Sequence, residues 1–460
     1  MSKQRTFNQY RMMFPEFSYD SYHYEVADDG FHLRFRFSLN ERIVFEPTAF
    51  FPARKFLNFH QPKPLLDQLV FQIGMIELIS YWKACCPPTV VVRCAPCAID
   101  EAFWKKLYWN GLGEFFYINQ ITTDFEKFLK IRVESDGGVE SGEWRVESGE
   151  RGGVSVESGE GYLVPIGGGK DSVVTLEALA QAGCRVRPLI MNPRGATTLC
   201  AERAGFAMDE VLVIQRTIHP QLLELNKKGC LNGHTPFSAM LAFYTLLASA
   251  FSGIPNVALS NESSANESTV AGSAVNHQYS KSLEFEDDFR AYVAHTMGLK
   301  TNYFSFLRPL SELQIAMLFA KEPKYFDVFK SCNKGSKEDI WCGNCPKCLF
   351  AYIILSPFIA PERLQTIFGK DLLNDESLRF FLRQLIGEEE TKPFECVGTI
   401  DEVRQALSLT AERWYRGKEL PLLCREAGCG VHVPPLETPF TQEHNLSERE
   451  LNILIRRLHV

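Results

Sequence analysis

The sequence predicts an α/β protein: a central parallel sheet covered by helices on both faces, an N-terminal α+β domain before it and a mainly helical C-terminal region after it. Three observations carry this reading. From Tyr162 onward, short apolar runs alternate with stretches of helical spacing, the pattern that joins parallel strands through crossover helices. Before that point, Phe31-His32-Leu33-Arg34-Phe35-Arg36-Phe37 alternates strictly, as in a half-buried antiparallel strand. From Pro361 to Val460 the signals are helical, with Thr399…Glu402 and Ser447…Glu450 placed as capping boxes.

The expected domains are 1–131, 162–358 and 359–460, with 132–161 as a linker. Leu65 to Trp82 reads as a helix of the first domain. In the linker, Val-Glu-Ser-Gly-Glu occurs at 139–143, 146–150 and 156–160; so polar a segment cannot bury enough apolar surface to offset its ordering entropy. Strands are expected at Leu163–Ile166, Cys184–Met191, Glu210–Ile214, Asn256–Ser260 and Tyr303–Leu307. Helices are expected at Ser172–Ala182, around Thr197–Gly205 and at Phe237–Phe251. In such sheets ligands sit beyond the carboxyl ends of the strands. Asn192-Pro193-Arg194-Gly195, Asn261, Glu262, Asn266 and Glu267 all follow strand ends there.

Composition bounds the function classes. With 460 residues, 45% of them hydrophobic, the chain can hold two or three cored domains. A formal net charge of −7 argues against bulk nucleic-acid binding. The N-terminal residues show no apolar secretion core, and the most apolar helix stops at Gly253 and Pro255, short of the roughly 20 residues that span a bilayer. A cytoplasmic protein without a membrane partner is expected. Its 14 cysteines would then be reduced, so that clusters among them point to metal.

Residues 162–172, Tyr-Leu-Val-Pro-Ile-Gly-Gly-Gly-Lys-Asp-Ser, run from an apolar strand through three glycines into a helix start. Gly167, Gly168 and Gly169 let successive backbone N–H groups converge on an anion, to which the helix dipole adds attraction. A Walker A loop would need Ser or Thr directly after the lysine, where Asp171 stands. A dinucleotide fingerprint would need a third glycine at Ser172. The motif resembles the PP-loop, Ser-Gly-Gly-x-Asp-Ser, of ATP pyrophosphatases, with Gly167 in place of the leading serine.

Cys332, Cys342, Cys345 and Cys348 offer four thiolates with the last three at x2 spacing. Tetrahedral zinc in a closed structural site is the first choice, and an iron–sulfur cluster the alternative. Cys94 and Cys97 have no second pair nearby and read as isolated cysteines.

The PP-loop with this cysteine spacing is similar to 7-cyano-7-deazaguanine synthase, a shorter enzyme. Ser260-Asn-Glu-Ser-Ser-Ala-Asn-Glu267, Val275-Asn-His-Gln-Tyr-Ser-Lys-Ser282, Leu307-Arg-Pro-Leu-Ser-Glu-Leu-Gln-Ile-Ala316 and Trp341-Cys-Gly-Asn-Cys-Pro-Lys-Cys348 instead resemble the UDP-N-acetylmuramoyl-L-alanyl-L-glutamate epimerase family. That resemblance implies a cell-wall precursor enzyme that inverts the terminal L-Glu of UDP-MurNAc-L-Ala-L-Glu to D-Glu through an acyl-adenylate. ATP and Mg²⁺ would be consumed, with AMP and diphosphate released. It would place Gly167, Gly168, Gly169 and Ser172 around the pyrophosphate, Lys170 beside its charge and Asp171 on Mg²⁺. Arg194 would bind phosphate or substrate carboxylate, a surface turn arginine being the plain alternative. His234, His277 and Lys281 are the candidates for proton transfer. Against them stand a capping or packing role for His234 and a solvated charged face for His277. Glu262 and Glu267 would bind metal or ribose. The residues from Pro361 onward carry no catalytic signal. Two other readings stay open: a PP-loop ligase acting on a nucleobase or tRNA, and a zinc-stapled binding protein without activity.

Overall fold

The computed structural model describes residues 6–134, 161–266, 276–429 and 441–459; the acidic repeat and Glu267 lie outside the described residues. Two compact units are formed, one drawn from Met1–Gly161, Leu212–Asn256 and Asp288–Asn302, the other from Tyr162–Val211, Val257–Asp287 and Tyr303–Val460. The strands in chain order are β1 (Glu16–Ala27), β2 (Gly30–Leu39), β3 (Ile43–Phe45), β4 (Thr48–Pro52), β5 (Thr89–Val92), β6 (Lys130–Val133), β7 (Gly161–Pro165), β8 (Arg185–Met191), β9 (Leu212–Arg216), β10 (Asn256–Leu259) and β11 (Asn302–Ser305).

The first unit orders its strands β9-β4-β2-β1-β5-β6, with β3 on β2. β1 and β2 form an antiparallel hairpin, Ala27 opposite Gly30. The alternation in β2 has its expected effect: Phe31, Leu33, Phe35 and Phe37 are buried while Arg34 and Arg36 are exposed. This aromatic face packs on the helix Lys63–Trp82, Tyr19 stacking on Phe71 at 5.5 Å. Gly74 makes that approach possible, since a Cβ there would lie 1.9 Å from the Tyr19 hydroxyl. The helix is buried on nearly every side, and its one buried acid, Glu77, is paired with Arg216 at 2.6 Å and accepts from the Tyr244 hydroxyl at 2.9 Å, as a buried charge requires.

The run expected at Glu210–Ile214 forms β9, which stands next to β8 and β4 in the strand order and pairs antiparallel with β4. β4 leaves backbone groups unpaired on one edge, and a strand must satisfy them. The Thr217 hydroxyl accepts from the Thr48 N–H at 3.1 Å and holds that direction.

The second unit orders its strands β11-β10-β7-β8. Their hydrogen bonds match start to start and end to end. Asn302 N–H donates to Pro255 at 2.8 Å before β11 and β10, and Phe306 N–H to Leu259 at 2.7 Å after them, which is the parallel arrangement. Every residue of β7 is buried, as expected of a parallel strand covered on both faces. The helix Lys170–Gln181 joins β7 to β8 and the helix Gly195–Arg203 follows β8. The first of these starts two residues earlier than the Ser172 expected, so Lys170 and Asp171 belong to its first turn, with Gly169 as N-cap.

Farther along the chain, the Thr399–Glu402 capping box opens the helix Ile400–Tyr415. Glu450 accepts from the Ser447 N–H at 2.7 Å at the head of the helix Glu448–His459, and its other oxygen accepts from the Tyr162 hydroxyl at 2.9 Å, tying that helix to β7. No helix among the described residues is long and apolar enough to cross a membrane.

Candidate active site and metal centre

The glycine loop is shaped from outside by its carbonyls. Lys330 N–H donates to the Gly168 oxygen at 2.7 Å, and the Arg194 guanidinium to the Gly167 oxygen at 3.1 Å. Gly168 sits at φ +82°, and a Cβ there would lie 2.9 Å from that of Ala196, so this position demands glycine. Gly167 by contrast faces open space, and the serine that PP-loops carry there would meet no clash. Among the described residues no hydrogen bond engages the N–H groups of Gly167, Gly168 or Gly169. They stand at the positive end of the dipole of the helix Lys170–Gln181. Ser172 turns its hydroxyl back onto the Gly169 carbonyl at 3.0 Å.

Beside the loop, the buried Lys170 ammonium hydrogen-bonds both Asp171 and Glu312. Burial opposes its charge, but the two carboxylates outweigh burial and raise its pKa. Burial likewise pushes Glu312 up, against Lys170 and with Asp171 and Glu262. Asp171 is held low because Lys170, then Lys347 and Lys281, outweigh its own burial. Glu312 was missed by the sequence reading. It lies inside the Ser311…Gln314 capping box, where an acidic residue looks like ordinary first-turn helix chemistry.

The loops carrying Glu262 and Lys281 are fixed by Arg308. Fully buried, it donates to the Glu262 carbonyl at 2.6 Å, the Lys281 carbonyl at 2.5 Å and the Glu286 carboxylate at 3.3 Å. Lys281 is raised above the ordinary lysine value: burial lowers it, but Cys396 and then Glu262 prevail.

From the chain beyond Pro361, Cys396 reaches the helix that starts at Pro346. Its carbonyl accepts from Lys347. Burial would raise this thiol, yet Lys281, His277 and Lys347 push it down to about 6. Glu402, from the same region, caps two helices: it closes the Thr399 box and accepts from the Glu312 N–H at 2.7 Å. The Lys347–Cys396 and Glu312–Glu402 contacts join residues 49 and 90 positions apart, and no local pattern announces them.

Cys332, Cys342, Cys345 and Cys348 place their sulfurs within 4.8 Å of one another, with pairs at 3.8 Å and 3.7 Å. A tetrahedron with metal–sulfur bonds of about 2.3 Å has edges of about 3.8 Å. So close a set fits one ion and is too tight for a cluster whose irons take separate thiolates. Backbone N–H groups of Gly335, Asn344 and Cys348 point at three of the sulfurs, at 3.1, 3.4 and 3.4 Å. Hydrogen bonds within the set lower Cys345 to about 5. Cys345 also N-caps the helix Pro346–Leu355, which sets Lys347 in its first turn. Cys94 and Cys97 stand apart from this set, one half-buried and one exposed.

His234 belongs to the first unit, where its Nδ1 lies 3.5 Å from Glu114. Lys83 donates to the flanking Gly233 carbonyl and to the Thr235 hydroxyl at 2.6 Å, and burial lowers its pKa to about 8.

A glycine loop at a helix start, a buried lysine–carboxylate group and four closely set cysteines that could hold a metal ion thus lie in one α/β unit. Residues 8–306 match the family of the MurL N-terminal domain, and residues 328–425 that of the MurL C-terminal domain. Relatives named UDP-N-acetyl-alpha-D-muramoyl-L-alanyl-L-glutamate epimerase align with most of the chain. One from Micromonospora sp. is 37% identical over 76% of this chain and 76% of its own. One from Xanthomonas oryzae pv. oryzae is 36% identical over 76% and 75%, and one from Salinispora tropica 36% over 76% and 74%. The chain belongs to the MurL family.

Proposed function

We propose that this protein is an epimerase that converts the terminal L-Glu of UDP-MurNAc-L-Ala-L-Glu to D-Glu through an acyl-adenylate, using ATP and Mg²⁺ and releasing AMP and diphosphate. The observation that carries the reading is the match to relatives of that name along three quarters of the chain. The chemistry explains why such a reaction would need a phosphate loop. A free carboxylate resists loss of its α-proton, because the enolate would place negative charge beside negative charge. Esterification to AMP removes that obstacle, after which a base and an acid on opposite faces can invert the centre.

In this reading the N–H groups of Gly167 to Gly169 receive the pyrophosphate, with Arg194 beside Gly167 and Lys170 at the head of the helix. Ser172 supports the loop through Gly169. Lys170, held charged by Asp171 and Glu312, is a fixed cation where phosphate charge builds up. Asp171 and Glu262 are the carboxylates that would hold Mg²⁺, which supplies charge neutralisation on phosphate oxygens. The four cysteines would hold zinc, a structural ion with no open position. His277 and Lys281 are the candidates for proton transfer in the second unit. His234, in the first unit, is the remaining candidate. A small-molecule substrate without nucleic acid, in the cytoplasm, completes the reading.

The test is incubation with ATP, Mg²⁺ and UDP-MurNAc-L-Ala-L-Glu, followed by assay of AMP and of glutamate chirality after acid hydrolysis. Substrate-dependent AMP together with D-glutamate is expected. AMP without inversion would keep the adenylating enzyme but move its product elsewhere, and neither signal would leave a PP-loop ligase acting on another substrate and the zinc-stapled binding protein to be separated.

A further inference from the structure

We infer that Glu402 is a positioning residue for the phosphate-side cation: it acts through Glu312 to hold Lys170 at the glycine loop. This rests on the reading of that loop as the ATP site and names what sets its lysine. The contacts form a chain within the second unit. The Lys170 ammonium hydrogen-bonds the Glu312 carboxylate, and Glu312 is the first residue of the helix Glu312–Ala320. Helices fray at their ends, so a side chain on the first residue is placed only as well as that turn is. This helix already has a cap of its own, the Ser311–Gln314 box. Its first N–H is taken in addition by a carboxylate 90 positions on, the Glu402 side chain, at 2.7 Å. The other Glu402 oxygen accepts from the Thr399 N–H at 2.8 Å and from the Thr399 hydroxyl at 3.0 Å. One buried carboxylate thus closes the heads of two helices.

Two further observations go beyond what a helix cap requires. A Cβ on Gly398 would lie 2.9 Å from the Glu402 carboxylate and 3.0 Å from Glu312 Cγ, so a side chain there would push the two acids apart. The three carbonyls before Thr399 are each taken by a side chain: Cys396 by Lys347, Val397 by Gln278 at 3.2 Å and Gly398 by Lys392 at 2.8 Å. Gln278 and Lys392 are themselves buried. A segment pinned at three successive carbonyls holds the carboxylate that follows it in one place. Through Glu312 that fixed point reaches Lys170, and a cation serves a phosphate best when its own partners hold it still.

The experiment compares wild type with Glu402→Ala, Glu402→Gln and Thr399→Ala. It reads ATP affinity by calorimetric titration in Mg²⁺, AMP release with UDP-MurNAc-L-Ala-L-Glu, and the denaturant midpoint. Thr399→Ala weakens the cap of the helix Ile400–Tyr415 and leaves the Glu402–Glu312 contact, so it should lower the midpoint while affinity and AMP release stay near wild type. Glu402→Ala should weaken ATP binding on the order of tenfold and slow AMP release on the order of 10²-fold, as a group misplaced by about 1 Å does. Glu402→Gln keeps one acceptor oxygen and should fall between; if the alanine variant does not fold, the glutamine variant carries the same comparison. Because Glu402 acts through Glu312, the double variant with Glu312→Gln should fall no further than Glu312→Gln alone. Losses that multiply independently overturn the proposal, and so does a Glu402 variant whose affinity and AMP release match those of Thr399→Ala. A wild type that binds ATP but releases no AMP fails the epimerase reading and leaves the affinities to decide on Glu402. A wild type that binds no ATP overturns the proposal itself.

Discussion

Lys170 illustrates how little a residue's identity says without its neighbours. As the lysine of a glycine loop it was legible at once as a phosphate-side cation; its two carboxylate partners were not, because Glu312 lies 142 positions away. Removing one member of a buried ion group leaves uncompensated charge and costs about 3–5 kcal/mol. In Lys170→Met, Asp171 and Glu312 would lose the cation that bridges them, so the variant should lose stability and AMP release together. Glu312 already has a raised pKa, and the loss of Lys170 raises it further. A carboxyl raised on folding contributes stability at low pH that disappears as pH rises through its folded value. Denaturant titrations should therefore find K170M more destabilised at pH 9 than at pH 6, and the double variant with Glu312→Gln more stable than K170M at the higher pH. Equal losses at both pH values would show that the carboxyls do not carry the effect.

At the scale of elements, the cysteine spacing announced a metal site, but not that the site doubles as a helix start. Cys345 caps the helix Pro346–Leu355, and that turn carries Lys347 to the Cys396 carbonyl. The element thus joins a closed thiolate tetrahedron to the charged group around Asp171. Elemental analysis should give one zinc per chain in wild type and none in Cys345→Ser. Inversion should fall in C345S beyond what its loss of stability explains, because Lys347 loses its anchor. Lys347→Ala is the control: it should keep the metal and still slow the reaction. The capping boxes tell a similar story. Thr399 and Glu402 were readable as a helix signal, while the second role of Glu402, accepting from the Glu312 N–H, appears only when two helices meet.

For the whole molecule, periodicity carried the fold well where structure is local. The β2 alternation, the helix ending at Trp82 and the strands after Tyr162 follow from patterns a few residues long. What escaped depends on distant partners: the antiparallel pairing of β9 with β4, and Glu312 meeting Lys170. The glycine loop and the cysteine set nonetheless fall in the same compact unit, and this has a thermodynamic consequence. A ligand that binds only the folded state stabilises it by RT ln(1 + [L]/Kd), about 2.7 kcal/mol at a hundredfold excess over Kd. If ATP occupies the loop and zinc the thiolates, both act on the unfolding of that unit. Scanning calorimetry should show ATP with Mg²⁺ raising, and a strong chelator lowering, the same transition, with Lys170→Met abolishing the ATP shift and leaving the chelator effect. Shifts confined to different transitions would place the nucleotide outside the glycine loop.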